Sequence, residues 1–254
     1  MELVVLGRSA ALANPGEACP SHLVRQGDVQ LVLDCGPGCM SHLRQVVDDY
    51  RKVTAIFITH MHWDHFGDLP SFVYGLELMG LGTGYKPQLY LPPGGQNILN
   101  DILKNETQAH LAGFFNDVFD MHEFDPGLTY HFGPLQVSFV HVKHFGPTWG
   151  IQVTDGKKKR LAYSGDSGPA DEMVSLAANA DLFLCEAAWR PGEPEEVGHM
   201  TARQAGEIAA KAKAKKLLLV HLYKEHDWGR MLSEAYNAFG GPVEIAEELR
   251  SYFI

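Results

Sequence analysis

Thr59-His60-Met61-His62-Trp63-Asp64-His65 places four metal-ligating side chains within six residues, in the order His-x-His-x-Asp-His. The apolar run over residues 53–58 ahead of it reads as a buried strand. Ligands just past a strand end stand on a rigid element and still face an open cleft, as a catalytic metal requires. Three imidazoles and a carboxylate are borderline donors that suit zinc, with manganese and iron as alternatives.

Working outward from this stretch, strands are expected over residues 3–6, 21–25, 30–34, 88–91, 135–143, 149–154, 160–164, 181–185 and 217–220. Helices are expected over 39–50, from about 66 to 78, over 96–110 and over 170–178. Thr201-Ala202-Arg203-Gln204 is a capping box that opens an Ala-rich helix reaching about residue 214. Residues 111–131 carry no clear pattern. His60, His144, Asp166, Glu186 and His221 each stand at the carboxyl end of an expected strand. Polar residues at equivalent strand ends converge on one edge of an α/β fold, where ligand sites form. Asp166 suits a bridge between two metals, because each carboxylate oxygen can serve one of them. His141 lies three residues before His144, on the opposite strand face, so the two would not serve one site. His22, His42, His110, His122 and His131 have no comparable setting and are expected to be surface or structural.

The His-x-His-x-Asp-His stretch resembles the metal-binding motif of the metallo-β-lactamase superfamily. The resemblance implies an α/β, four-layer αββα sandwich with a dinuclear metal site at one edge. It implies two Zn²⁺, or Mn²⁺, with His60, His62 and His144 on one metal, Asp64, His65 and His221 on the other, and Asp166 between them. Leu184-Cys185-Glu186-Ala187 and Gly198-His199-Met200-Thr201 narrow the likeness to the ribonuclease Z branch and its small phosphodiesterase relatives. There the histidine faces the scissile phosphate and the glutamate orients it. A histidine held by a carboxylate can protonate a departing oxygen near neutral pH. The expected catalytic residues are therefore Asp64, His199 and Glu186, with a metal-bridging hydroxide as nucleophile. The long tRNA-gripping arm of ribonuclease Z has no counterpart between His144 and Asp166, where only a short hairpin fits. The short-hairpin pattern also looks like bacterial members that hydrolyse cyclic nucleotides.

Hydrophobic content of 45% and charged content of 20% are ordinary for a soluble globular protein. Interleaved elements with no repeat or low-complexity linker predict one hydrolase domain over residues 1–254. No apolar run reaches the length of a membrane span, and the start lacks a basic leader, so no membrane contact and a cytoplasmic location are expected. Cys19, Cys35, Cys39 and Cys185 form no Cys-x-x-Cys pair and read as reduced thiols. A net charge of −10 argues against a long polyanionic partner. The basic stretches 157–160 and 211–216 read as a hairpin tip and a helix end in solvent. The aromatic residues near the motifs, Trp63, Phe66, Trp149, Trp189, Tyr223 and Trp228, are expected mainly in the core, with one or two able to stack on a base.

The expected function is a dinuclear-zinc phosphodiesterase of small diesters such as cyclic nucleotides. The alternatives are a ribonuclease Z-like endoribonuclease of tRNA 3′ ends, a thioesterase or lactonase on the same metals, and a non-catalytic module. Family members are often dimers, so a homodimer is an expectation too, with the glycines at 80, 82 and 84 serving as lid or interface.

Overall fold

The computed structural model describes residues 1–78, 86–104, 109–189 and 198–254. Two sheets carry it. The first runs β1 (Glu2–Gly7), β2 (Ser21–Gln26), β3 (Val29–Cys35), β4 (Ala55–Phe57), β5 (Gln88–Leu91) and β6 (Asp120–Glu123), with β14 (Ser251–Phe253) on the free side of β1. The second runs β7 (Tyr130–Phe132), β8 (Leu135–Val142), β9 (Thr148–Asp155), β10 (Arg160–Tyr163), β11 (Leu182–Glu186), β12 (Leu217–Val220) and β13 (Val243–Ile245).

The two-residue period of the strands sorts their side chains into three cores. Leu3, Val5, Leu33 and Phe57 point inward and meet Phe139, Ile151, Leu184 and Val220 of the other sheet. Their neighbours Val4, Leu6, Val32 and Ile56 point outward. They are covered by α1 (Cys39–Val46), α2 (Trp63–Phe66), α3 (Leu69–Leu78), α4 (Gly95–Leu103) and α5 (Ala109–Val118), through Leu43, Phe66, Phe72, Leu99 and Phe115. On the opposite side Phe183, Cys185, Leu217 and Leu219 pack under α6 (Asp171–Leu176), α7 (Ala202–Ala212) and α8 (Trp228–Phe239). The order of layers is helix, sheet, sheet, helix.

Strands β3 to β6 are parallel, and so are β10 to β13. Strand β8 runs with β10, because both are antiparallel to β9. The carboxyl ends of β3 and β4 in one sheet and of β8, β10, β11 and β12 in the other therefore open on one edge of the sandwich. A bridge between Ser9 and Leu222, and a hydrogen bond from Trp149 N to Thr59 O at 3.2 Å, tie the sheets together there.

The structure departs from the sequence expectations in a few elements. The helix expected over 96–110 ends at Leu103, and a second helix begins at Ala109. Residues 111–131, which carry no pattern, fold as the rest of α5, the edge strand β6 and the start of β7. The glycines at 80, 82 and 84 lie outside the described residues. All four cysteines are buried and free. The two basic stretches meet at one carboxylate, since Lys159 and Lys215 both pair with Asp181, at 3.0 and 2.8 Å. Among the described residues no helix is long and apolar enough to cross a membrane.

Candidate active site

Strand β4 ends at Phe57, and the chain turns through His60 into the short helix α2, whose N-cap is His62. This turn directs His60, His62, Asp64 and His65 toward the opening. From the other sheet come His144 after β8, Asp166 after β10 and His221 directly after β12. The structure brings all seven together. The donor atoms of His60, His62, His144 and Asp166 lie within 4.8 Å of one another, and so do those of Asp64, His65, Asp166 and His221.

Asp166 joins the two groups. Its Oδ2 is 3.8 Å from Nε2 of both His60 and His144, and its Oδ1 is 3.1 Å from His65 Nε2 and 3.5 Å from His221 Nε2. Asp64 Oδ2 lies 3.4 Å from His65 Nε2 and 3.3 Å from His221 Nε2. His62 Nδ1 is 3.2 Å from His144 Nε2. His60 Nε2, His65 Nε2 and Asp166 Oδ1 are all buried without a hydrogen-bond partner. Buried polar atoms are rarely left so, and a cation in each of the two groups would satisfy all three.

The electrostatics agree. Burial opposes ionisation of Asp166, yet the charges of His221 and His65 hold its carboxyl well below the usual range. Asp64 is likewise held low against burial by hydrogen bonds from His221 and His65. Burial lowers His60 and His144, which keeps them in the neutral form that ligates metals. His65 is pushed the other way: burial pulls it down, but the carboxylates of Asp166 and Asp34 raise it further. Two buried carboxylates around one imidazole call for positive charge, which a proton or a metal ion would supply. The residues present fit a pair of divalent cations.

The orienting partners were only partly legible in the sequence. Asp34, near the end of β3 and fully buried, was expected as no more than a strand residue. It accepts hydrogen bonds from Thr59 N (2.7 Å), Thr59 Oγ1 (3.0 Å), His65 Nδ1 (2.7 Å) and Tyr163 OH (2.7 Å). Thr59 Oγ1 also meets His60 Nδ1 at 3.0 Å, and His144 Nδ1 donates to Gly198 O at 2.8 Å. A ligating histidine ordinarily donates its second N–H in this way, which fixes its ring. His221 has no such bond, its Nδ1 buried without a hydrogen-bond partner. Asp34 and His221 both adopt positive φ, 59° and 57°. Left-handed backbone at residues other than glycine carries strain of the kind that gathers at functional sites. The one signal for Asp34 in the sequence is a carboxylate closing an apolar strand.

Beside this cluster His199 Nδ1 lies 2.9 Å from Glu186 Oε1. Glu186 is buried and fixed in turn by Ser167 N at 2.8 Å and Ala188 N at 3.0 Å. Burial draws the His199 imidazolium down, but the Glu186 carboxylate, by charge and hydrogen bond, raises it to about 9. Its ring stacks at 5.5 Å from that of His221. The capping box of Thr201 and Gln204 starts α7 two residues later and fixes the approach of this segment.

The remaining histidines sit elsewhere. His22 is fully buried, edge-on to Tyr163, and His42 bonds Leu6 O at 2.6 Å. His122 pairs with Asp120 at 3.1 Å, and His131 and His141 are exposed. The side chain of His110 lies outside the described residues. Trp149 belongs to the core between the sheets, and Trp228 donates to Tyr223 O at 2.9 Å.

Two facing sheets with a His/Asp cluster at their shared edge define a metallo-β-lactamase fold protein. The model of the beta-lactamase superfamily domain matches residues 30–222, and the chain belongs to that superfamily. It is 30% identical to the uncharacterized protein ML1173 of Mycobacterium leprae, over 96% of this chain and 85% of that protein. It is 28% identical to the probable metallo-hydrolase YhfI of Bacillus subtilis, over 97% of each. The crystal structure of YhfI superposes with a TM-score of 0.86 at 25% identity, covering 99% of this chain and 98% of the other. Ribonuclease Z of Methanothermobacter thermautotrophicus is 26% identical over 98% of this chain and 95% of its own length.

Proposed function

We propose that the chain is a metal-dependent hydrolase of small phosphodiesters such as cyclic nucleotides, working with two Zn²⁺ and accepting Mn²⁺. His60, His62 and His144 would hold one cation, Asp64, His65 and His221 the other, and Asp166 both. Bound there, the cations supply Lewis acidity toward phosphoryl oxygens and a water acidic enough to react near neutral pH. Asp64, kept ionised, orients that water by accepting a hydrogen bond from it. Glu186 holds the His199 ring through Nδ1, leaving Nε2 to give a proton to the departing oxygen. The single observation that carries the reading is the Glu186–His199 contact of 2.9 Å beside the metal-ligand cluster. Hydrolysis of a phosphodiester expels a poor leaving group that needs that proton.

The likeness to ribonuclease Z favours a second reading, cleavage of RNA near its 3′ end. Against it, β9 and β10 are joined by a tight turn at residues 156–159, with no inserted arm, and Asp181 takes up Lys159 and Lys215.

The test is turnover of 3′,5′-cyclic AMP by zinc- or manganese-loaded protein. Asp64→Ala should abolish it. His199→Ala should lower kcat by about 10²–10⁴-fold on this diester and far less on a p-nitrophenyl diester, whose leaving group departs unprotonated. No turnover by protein that holds two metals sinks the small-diester reading and makes a tRNA precursor the next substrate.

A further inference from the structure

Three rings meet beside the metal-ligand cluster. The centroids of His144 and His199 are 5.0 Å apart, and that of Phe145 stands 5.2 Å from the first and 6.3 Å from the second. The His144 side chain is 1% exposed, whereas Phe145 is 60% exposed. A single apolar side chain in solvent is ordinary on a protein surface. What sets Phe145 apart is its place, since it borders a candidate metal ligand and the proposed proton donor at once.

The ring is held there. The chain on either side of it is pinned by Gly168 N, which donates to Lys143 O at 2.7 Å, and by Thr148 Oγ1, which donates to Gly146 O at 3.2 Å. A Cβ at residue 198 would come within 2.4 Å of Phe145 Cε2, so the ring lies against bare glycine backbone. The same Gly198 accepts the hydrogen bond from His144 Nδ1, and His199 is the next residue. Phe145, His144 and the segment that carries His199 are thus tied into one unit.

A proton given by His199 goes to the departing oxygen, so the organic group on that oxygen lies beside His199. On the side of His144 it meets a phenyl ring, which has no donor or acceptor and offers only an apolar face. We propose that Phe145 is the wall against which the departing alcohol rests, so that the site favours phosphodiesters whose departing alcohol carries a flat apolar body over those that release a bare polyol such as glycerol. This rests on the diesterase reading for His199 and adds which alcohol the site selects. Contact with an aromatic face rewards flat apolar surface and gives nothing to hydroxyl groups, which lose water there without gaining a partner.

The experiment is calorimetric titration of the metal-loaded protein with phenyl phosphate and glycerol 3-phosphate. The shared phosphate cancels in the ratio of dissociation constants, which then reports the organic group. Phenyl phosphate should bind about threefold or more tightly. Phe145→Ala should bring the ratio close to one, and Phe145→Tyr, which keeps the flat face, should retain it. Thermal melting and metal content should match the wild type in both. If the alanine variant loses its metals, Phe145→Leu, apolar but not flat, is read in its place. The side of the site is read from methyl p-nitrophenyl phosphate, whose only aryl group departs: Phe145→Ala should raise its KM about threefold or more. Equal affinity for the two monoesters in the wild type, or a ratio unmoved by the substitution, overturns the proposal. So does a KM that rises for bis(p-nitrophenyl) phosphate alone, since the ring would then serve the retained group. Aryl selectivity in a protein that cleaves neither diester would uphold the apolar wall and remove the diesterase reading. Cleavage of both without aryl selectivity would do the reverse.

Discussion

At the scale of single residues, Asp34 carries more than its place in a strand suggests. One buried carboxylate accepts from Thr59, His65 and Tyr163, and through Thr59 it also steadies His60. Asp34→Asn keeps the shape but loses a full acceptor and introduces donors where donors already converge. Metal affinity measured by chelator competition should fall about 10–100-fold, the usual cost of losing an orienting partner. Unchanged affinity would mean that His65 is held by packing alone. The His-x-His-x-Asp-His turn was legible because four ligand types crowd six residues after an apolar strand. Asp34 was not, because a single aspartate at a strand end carries no periodicity and its partners come from 25, 31 and 129 residues away. Trp63 and Trp149 were both named by their nearness to motifs, but only the structure separates Trp63, open to solvent, from Trp149 in the core.

At the scale of elements, strand β3 and helix α2 touch through a glycine. A Cβ at Gly36 would fall 1.9 Å from Asp64 O, so the first turn of α2 rests directly on the β3 terminus. Gly36→Ala must displace the backbone that carries Asp64 and His65. A loss of about 1–3 kcal/mol is expected in denaturant unfolding, together with weaker metal retention. A variant of wild-type stability with both metals tightly held would show that the turn shifts freely. The strands that bear ligands were legible in the sequence because each ends an apolar run. The edge strand β6 was not. It reads Asp-Met-His-Glu, has no apolar alternation, and exists through its pairing with β5. Its charged exposed positions suit an edge that must not recruit another strand. Helix α8, with Asp227 as N-cap, and the strands β13 and β14 complete the second and first sheets from a stretch that the strand-end argument did not need.

At the scale of the whole molecule, the buried His22 makes stability depend on pH. Burial holds its imidazole down to about 3, and neither ring nitrogen has a partner. In the unfolded chain the same group takes up a proton near its ordinary value of about 6.5. Between those values the unfolded state binds more protons, so stability falls as pH drops from about 6.5 toward 3. Asp181, held at about 2 against burial by Lys215, Arg160 and Lys159, acts in the same direction at lower pH. Its contribution is present above about 3.8 and is lost as pH falls through about 2. His22→Leu should give a shallower decline of unfolding free energy between pH 6.5 and 4 than the wild type. An identical slope would assign the acid sensitivity to other groups.

The hydrogen bond from Tyr163 to Asp34 spans the two sheets, since Tyr163 closes β10 and Asp34 sits near the end of β3. The carboxylate that aims His65 is thus also a rivet between the halves of the sandwich. Sliding one sheet over the other by a fraction of an ångström would turn the imidazole as well. Transplanting the His-x-His-x-Asp-His turn onto a lone sheet would carry over its donors without their alignment. In this chain the tolerance of the reactive centre is the tolerance of the seam between the sheets, and an engineer who wishes to retune one must rebuild the other.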